Sequence, residues 1–423
     1  MTLERAGVSL IDCDHRTPQT SPIGLPYVAI PQMKAGRLHL NEARRISPTD
    51  FAEWTRKANP QSFDVVLSRR CNPGETAFVA PGERFALGQN LVLLRSNNST
   101  IIVEFLRWLV RGPIWWDQVQ KFLNVGAIFN SLKCRDVPNF TLPIPPLNEQ
   151  RAIARILGAL DDKIELNRQM NETLEALARA LFQSWFVDFD PVRAKMRGEQ
   201  PVGMDAATAA LFPSQLVQTE HGEVPEGWTL QSLDAVGTFL NGLALQKFPA
   251  NDGPSLPAIK IAEMRGGITA KTDRVSHSVP SQYIVNDGDL LFSWSGTLEI
   301  VIWSGGCGAL NQHLFKVTSA TLPKWFMYGA VRHHLPEFQA IAASKATTMG
   351  HIQRHHLTNA RIAVPTSAAF AKADLLLGPL HDRLLANAIE SKTLAATRDL
   401  LLPRLLSGEL RVPDAERLVA EAV

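Results

Sequence analysis

The sequence predicts an α+β protein in which two pseudo-symmetric globular domains are joined by two long antiparallel coiled-coil helices. Three observations carry this expectation. A run from Asn148 to Trp185 holds an apolar heptad seam over about five repeats. A second seam lies near the C-terminus, shifted by 220 positions. The segments upstream of the two runs also match each other, at shifts drifting from 220 to 231. Loop insertions between two copies of one unit produce such a drift.

The first run follows Pro143, Pro145 and Pro146, which cannot continue into a helix interior. Asn148 is the expected N-cap, and Glu149 suits the positive end of the helix. The seam reads Ile153, Leu157, Leu160, Ile164, Asn167, Asn171, Leu174, Ala178, Leu181 and Trp185. At about 1.5 Å per residue such a helix is roughly 50–60 Å long and needs a partner. The second seam supplies one: Ala373, Leu377, Leu380, Leu384, Asn387, Ser391, Leu394, Arg398 and Leu401. A seam asparagine that meets another polar group costs stability and fixes register. The competing reading has Asn167 and Asn171 facing solvent on a straight, drifting helix. In an antiparallel pair only central residues meet their own repeat mates, so Asn167 and Asn387 are expected to face each other. A parallel pair would instead put both globular domains at one end.

The expected boundaries are residues 1–145 for the first globular domain and 146–188 for the first long helix. Residues 189–224 form a proline-punctuated linker, extended or partly helical. The second globular domain covers 225–366, the second long helix 367–407, and a tail 408–423. Within the domains, Val65–Ser68, Phe85–Leu94, Leu290–Trp294 and His313–Val317 read as strands. Short helical patterns follow at Ile102–Val110 and Trp325–Arg332. The repeat pairs Phe63–Arg69 with Gly288–Trp294, Leu87–Leu94 with Leu310–Val317, Leu25–Leu38 with Leu256–Thr269, and Val137–Pro145 with Leu357–Pro365.

Composition excludes several classes. With 43 Lys plus Arg against 41 Asp plus Glu, the net charge of +2 advertises no general affinity for nucleic acid, though local basic patches remain compatible with it. The four cysteines are far apart and form no CxxC pair, which argues against a disulfide framework or a cysteine zinc site. No signal peptide is expected, and no window approaches the roughly 18 apolar residues of a membrane span. A cytoplasmic setting is the default. Phosphate-binding loops, dinucleotide fingerprints and nucleophile elbows are missing from the sequence. Asp161-Asp162-Lys163 and Glu390-Ser391-Lys392 have a carboxylate-x-Lys spacing used by some nucleases, but both fall inside the long helices and read as charged helix surface. His351 and His355 are four apart without a nearby glutamate base, in what reads as a loop entering a strand. Trp115-Trp116 reads as domain core. No catalytic residue and no metal site is therefore expected.

Basic residues cluster in the loops of both domains. Arg44, Arg45, Arg69 and Arg70 in the first, and Lys260 and Arg265 in the second, are candidate DNA-facing residues, since loop arginines can reach base edges in a groove. An ordinary solvated charge is the competing reading for each.

The stretch PIPPLNEQRAIARILGALDDKIELNRQMNETLEALARALFQSWFVDF resembles the central conserved region of the specificity subunits of type I restriction-modification systems. EVPEGWTLQSLDAVG (Glu223–Gly237) resembles the start of their target-recognition domains, and LLLPRLLSGELRV (Leu400–Val412) their conserved C-terminal end. The first domain lacks the PEGW opening and has SLIDCDHRTP (Ser9–Pro18) in its place. The resemblance implies that each globular domain is a target-recognition domain reading half of a split DNA sequence. It implies that the helices set the spacing and dock two methyltransferase (modification) subunits, with restriction subunits, which carry motor and nuclease, joining to cleave. S-adenosylmethionine, ATP and Mg are then expected on those partners, with no cofactor on this chain. A non-catalytic protein-binding scaffold is the rival expectation.

Overall fold

A computed structural model describes residues 1–126, 129–344 and 350–422. The chain divides into two compact units, one of Met1–Ile164 with Thr393–Val423, the other of Glu165–Lys392. This division cuts across the expected boundaries, because each long helix contributes one part to each unit. The helices used below are α1 (Val103–Leu109), α2 (Leu147–Phe186), α3 (Lys324–Ser344), α4 (Ser367–Ser407) and α5 (Val412–Ala422). No helix among the described residues is long and apolar enough to cross a membrane.

Unit 1 is built on a four-stranded antiparallel sheet. Its strands are β1 (Val8–Asp12), β4 (Val65–Ser68), β5 (Thr76–Phe78) and β7 (Leu91–Ser96), in the order β1-β7-β4-β5. A smaller sheet joins β2 (Leu25–Val28), β3 (Arg44–Ile46) and β6 (Ala86–Leu87), with β2 parallel to β6. Side chains alternate across a strand. Val65, Leu67, Val92 and Leu94 therefore enter the core shared with the helices, while Val66, Leu91 and Leu93 enter a second core on the other face. On the helix side, Ile153, Leu157, Leu160 and Ile164 of α2 pack in one core with Leu394 and Leu401 of α4. Trp115 is fully buried there, whereas its neighbour Trp116 is 36% exposed. The tail expected after residue 407 is in fact helix α5, and its Ala415 joins the same core.

Helix α2 begins at Leu147 rather than after Asn148, because the carbonyl of Pro146 accepts the first helical bond, from Gln150 N at 3.0 Å. The Gln150 side chain, which no sequence signal singles out, ties this helix start to the domain. Its amide donates to the carbonyls of Thr100 and Pro145 and accepts from Ile102 N.

Unit 2 repeats the plan. Its main sheet is β8 (Thr238–Asn241), β12 (Leu290–Ser293), β13 (Ile300–Ile302) and β15 (Leu314–Thr318), ordered β8-β15-β12-β13. Its second sheet, β10-β9-β14-β11, uses β9 (Ser255–Ile259), β10 (Arg274–Ser276), β11 (Ile284–Val285) and β14 (Gly308–Leu310). Strands β9 and β14 are parallel, as β2 and β6 are. The helix following the main sheet, α3, runs for 21 residues and is much longer than the expected Trp325–Arg332. Residues 354–359, expected as a loop, are helical and lead into a strand at Arg361–Val364. The segment 189–224 holds short helices at Asp190–Met196 and Ala206–Ala210 and packs on unit 2. Phe189, Val192, Phe212 and Val224 of that segment are buried, the first three in the core of unit 2 with Trp185, Phe186 and Trp228.

Leu181 of α2 and Leu377 and Leu380 of α4 belong to or pack against that core, Leu384 is buried, and Leu174 is half-buried. Asn167 and Asn387 are each 1% exposed. Asn167 Nδ2 lies 3.5 Å from the carbonyl oxygen of Asn387 and donates to Glu390 Oε2 at 2.7 Å. Asn387 Nδ2 donates to Asn171 Oδ1 at 2.9 Å, and Asn171 Nδ2 to the carbonyl of Leu384 at 3.0 Å. As residue number rises along α2 it falls along α4, so the helices run antiparallel. The amide nitrogens of Asn167, Asn171 and Asn387 all find acceptors across the pair and so set its register, because a heptad slip would strand them in an apolar seam, although the Asn167 and Asn387 side-chain oxygens have no partner among the described residues.

One expectation is overturned. Asp161 is not helix surface: its side chain is 3% exposed and surrounded by arginines. Arg398 Nη1 of α4 donates to Oδ1 at 2.7 Å, Arg37 Nε to Oδ2 at 3.1 Å, and Arg107 Nη1 of α1 is 3.5 Å from Oδ2. Arg37 is presented by a tight turn in which Ala35 and Gly36 both have positive φ (51° and 81°), the signature of a type I′ hairpin. Burial lowers the Arg107 guanidinium to about 10, and its Cζ lies 4.0 Å from the centre of the Phe78 ring. Removing one member of a buried charge cluster leaves its partners uncompensated. Asp161→Ala is therefore expected to cost about 3–5 kcal/mol in urea unfolding of the full chain. A loss below about 1 kcal/mol would mean that water screens the cluster as it does a surface pair.

Candidate nucleic-acid interface

In unit 1, Arg69 and Arg70 follow directly on β4, where the strand leaves the sheet. The Arg69 backbone is clamped on both sides. Its N–H donates to the Asn90 carbonyl at 3.0 Å, and its carbonyl accepts from Leu132 N at 2.9 Å. Arg70 pairs with Ser131 in an isolated bridge. These links converge on a cleft of about 410 Å³ whose polar lining comes from His15, Arg69, Arg70, Gln89 and Asn90, with Phe129 as an apolar wall. The guanidinium of Arg70 lies 5.4 Å from the Phe129 ring. Arg69 is only 8% exposed, and its buried Nε has no hydrogen-bond partner among the described residues. An unpaired buried donor is costly unless a ligand completes it. His15 is held between the Gln89 carbonyl at 2.9 Å and Asp12 Oδ2 at 3.0 Å.

Asp12, Cys13 and His15 bring potential metal ligands within 4.8 Å of one another. Burial, helped by Asp12, pushes the Cys13 thiol up to about 11, and its Sγ donates to the Gly88 carbonyl at 3.3 Å.

Unit 2 builds the same frame with other side chains. Trp294 follows β12 as Arg69 follows β4. Its N–H faces the His313 carbonyl at 3.4 Å, and its carbonyl accepts from Ile352 N at 3.0 Å. Ser295 bridges His351 as Arg70 bridges Ser131. The Trp294 indole donates to Asn241 Oδ1 at 2.9 Å and the Gln312 carbonyl at 3.1 Å, and its ring lies 5.8 Å from that of His313. Ser295 Oγ meets His313 Nδ1 at 2.9 Å, and the His351 ring stands edge-on to Trp294. The position held by Arg69 in unit 1 is held by Trp294 in unit 2, and that of Arg70 by Ser295. Arginine and amide side chains discriminate base edges, and aromatic planes and imidazoles offer different contacts.

Of the six basic candidates, the structure brings together Arg69 and Arg70. Arg44 lies 4.3 Å over the Tyr27 ring, and Arg45 Nη1 donates to the Gly24 carbonyl at 2.7 Å, both on the smaller sheet of unit 1. Lys260 is ion-paired to Asp273, and Arg265 to Glu299 at 3.3 Å. Sequence reasoning missed His15, Gln89, Asn90, Trp294 and His313. The aligned pairs Gln89-Asn90 and Gln312-His313, polar residues just ahead of an apolar strand in both repeats, were the available signal.

Residues 17–176 match the family model described as the type I restriction modification DNA specificity domain. The chain is 27% identical over 375 residues to the type I restriction enzyme HindI specificity subunit of Haemophilus influenzae, covering 78% of this chain and 82% of that protein. It is 26% identical over 325 residues to the MjaIX specificity subunit of Methanocaldococcus jannaschii, covering 74% and 70%. The crystal structure of a type I restriction-modification S subunit from M. genitalium superposes with a TM-score of 0.53 at 14% identity, over 96% of this chain and 95% of that one, which establishes a common fold. Residues 17–176 thus match a type I restriction modification DNA specificity domain, and over most of its length the chain, with its internal repeat and paired helices, is similar to the specificity subunits of type I restriction-modification systems.

Proposed function

We propose that this chain reads a split DNA target, one half through each unit, and supplies specificity rather than chemistry to a type I restriction-modification complex. The observation that carries this reading is the pair of topologically equivalent sites, at Arg69 and at Trp294, built on one frame from unlike side chains. Two unlike readers on one chain suit two unlike half-sites. The paired helices α2 and α4 set the distance between the readers and dock two methyltransferase subunits, with restriction subunits joining for cleavage. S-adenosylmethionine, ATP and Mg act on those partners, in the cytoplasm. The net charge of +2 suits this division, because partners that wrap the duplex supply much of the phosphate contact.

Long-read sequencing of methylated bases in host DNA, with this chain intact and deleted, tests the reading. Loss of one split adenine-methylated motif on deletion is expected, and an unchanged methylome in a host that expresses the complex would overturn it. Salt titration separates the reading from a protein-binding scaffold. Duplex binding by the assembled complex should fall with salt at a log–log slope of about −0.9 per phosphate contacted, whereas a scaffold would show no such slope.

A further inference from the structure

The repeat exposes an asymmetry at the second unit. In unit 1 the space between the helices and the sheet is filled by Arg398 of α4 on Asp161 of α2, with Arg107 of α1 beside them. At the 220-residue shift, Asp161 corresponds to His381 and Arg398 to Ala178. From the side of α3, the Tyr328 ring stands 6.0 Å from His381, in the role that Arg107 has toward Asp161. The long arginine and its carboxylate are therefore both gone from unit 2. In their place is a cavity of about 590 Å³ bounded by α2, α3, α4 and β13.

Its chemistry is specific. Phe182, Leu298, Ile300 and Leu377 give apolar walls. His381 lines it at 7% exposure, and its Nε2 has no hydrogen-bond partner among the described residues. Burial lowers the His381 imidazole to about 4, so it is a neutral polar group at physiological pH. Charged residues around the cavity are Glu175, paired with Arg332, Glu299, paired with Arg265, and Arg179. Arg179 has no ion pair among the described residues, which leaves the rim net positive. A volume in the range of ordinary small-molecule sites, a mostly apolar body and a few convergent polar groups describe a ligand site rather than a packing fault.

We propose that this cavity of unit 2 binds a small organic anion with an aromatic or branched apolar body, its anionic group at Arg179 and its body reaching His381. The site is independent of the DNA reading proposed above and binds where unit 1 is plugged by its own arginine.

The probe is 3-phenylpropionate, titrated into the full chain by calorimetry, with 3-phenylpropanol as uncharged and phenethylamine as cationic comparison. The acid is expected to bind at millimolar concentration or below, ahead of both comparisons. Ala178→Arg with His381→Asp recreates the unit 1 pair and is expected to abolish binding while far-UV circular dichroism stays that of the parent. Arg179→Gln, on the exposed rim, should weaken the acid about fivefold and leave the alcohol unchanged. This variant decides the matter if the double variant does not fold. Absence of binding to the parent chain, equal binding to a folded double variant, or stronger binding of the amine than of the acid would each overturn the proposal.

Discussion

Replacing Arg69 with methionine is expected to weaken recognition of one DNA half-site about ten- to hundredfold and to leave the other half-site unchanged. A bidentate arginine contact is worth about 1–3 kcal/mol of discrimination, which sets that range. Methionine keeps an unbranched apolar stem, and the backbone bonds of residue 69 to Asn90 and Leu132 do not involve the side chain, so the loss is confined to the guanidinium. Trp294→Ala should do the reverse, relaxing the second half-site alone. Binding of the assembled complex to duplexes altered in one half at a time reads both variants. If Arg69→Met weakened both halves alike, Arg69 would be a structural residue of the unit. If neither half changed, the cleft at His15, Arg69 and Asn90 would not be where the DNA is read.

Removing one heptad from α2 and the facing heptad from α4 is expected to shorten the recognised gap by about 3 base pairs while both half-sites stay as they were. Seven residues of helix span about 10 Å, and each base pair of duplex rises about 3.4 Å. The deletion must be made in both helices. A single deletion would set the amides of Asn167, Asn171 and Asn387 against apolar neighbours and report on stability instead of spacing. A methylome with the gap unaltered would remove the helices from the spacing role. Loss of methylation at every spacing, with the complex still assembled, would mean that the heptad carries a docking contact as well.

Legibility differed sharply between the helices and the sites. The seam from Ile153 to Leu181 could be read because helical packing repeats every three or four residues, and each apolar position repeats the same message. The start of α2 followed from Pro146 to within a residue or so. Arg69 and Arg70 were legible as a basic pair leaving a strand. Lys260 and Arg265 looked the same in sequence, and each forms an exposed ion pair, with Asp273 and Glu299, carboxylates 13 and 34 residues away that no local pattern connects to them. Asp161 is the sharpest case. A helix of mixed charge gives no sign that one carboxylate is covered, because Arg37 and Arg398 arrive from a hairpin and from the far end of the chain.

The sequence by itself determined the duplication, the two long helices and their pairing surface, since these are encoded in periodicities that act along the chain. Tertiary structure alone decided which polar residues come together. His15 with Arg69 and Asn90, Trp294 with His313 and His351, and the exchange of Arg398 and Asp161 for Ala178 and His381 all depend on segments far apart in sequence. Whether a charge is solvated, paired or left waiting for a ligand is set by what packs against it, and that is a property of the folded chain.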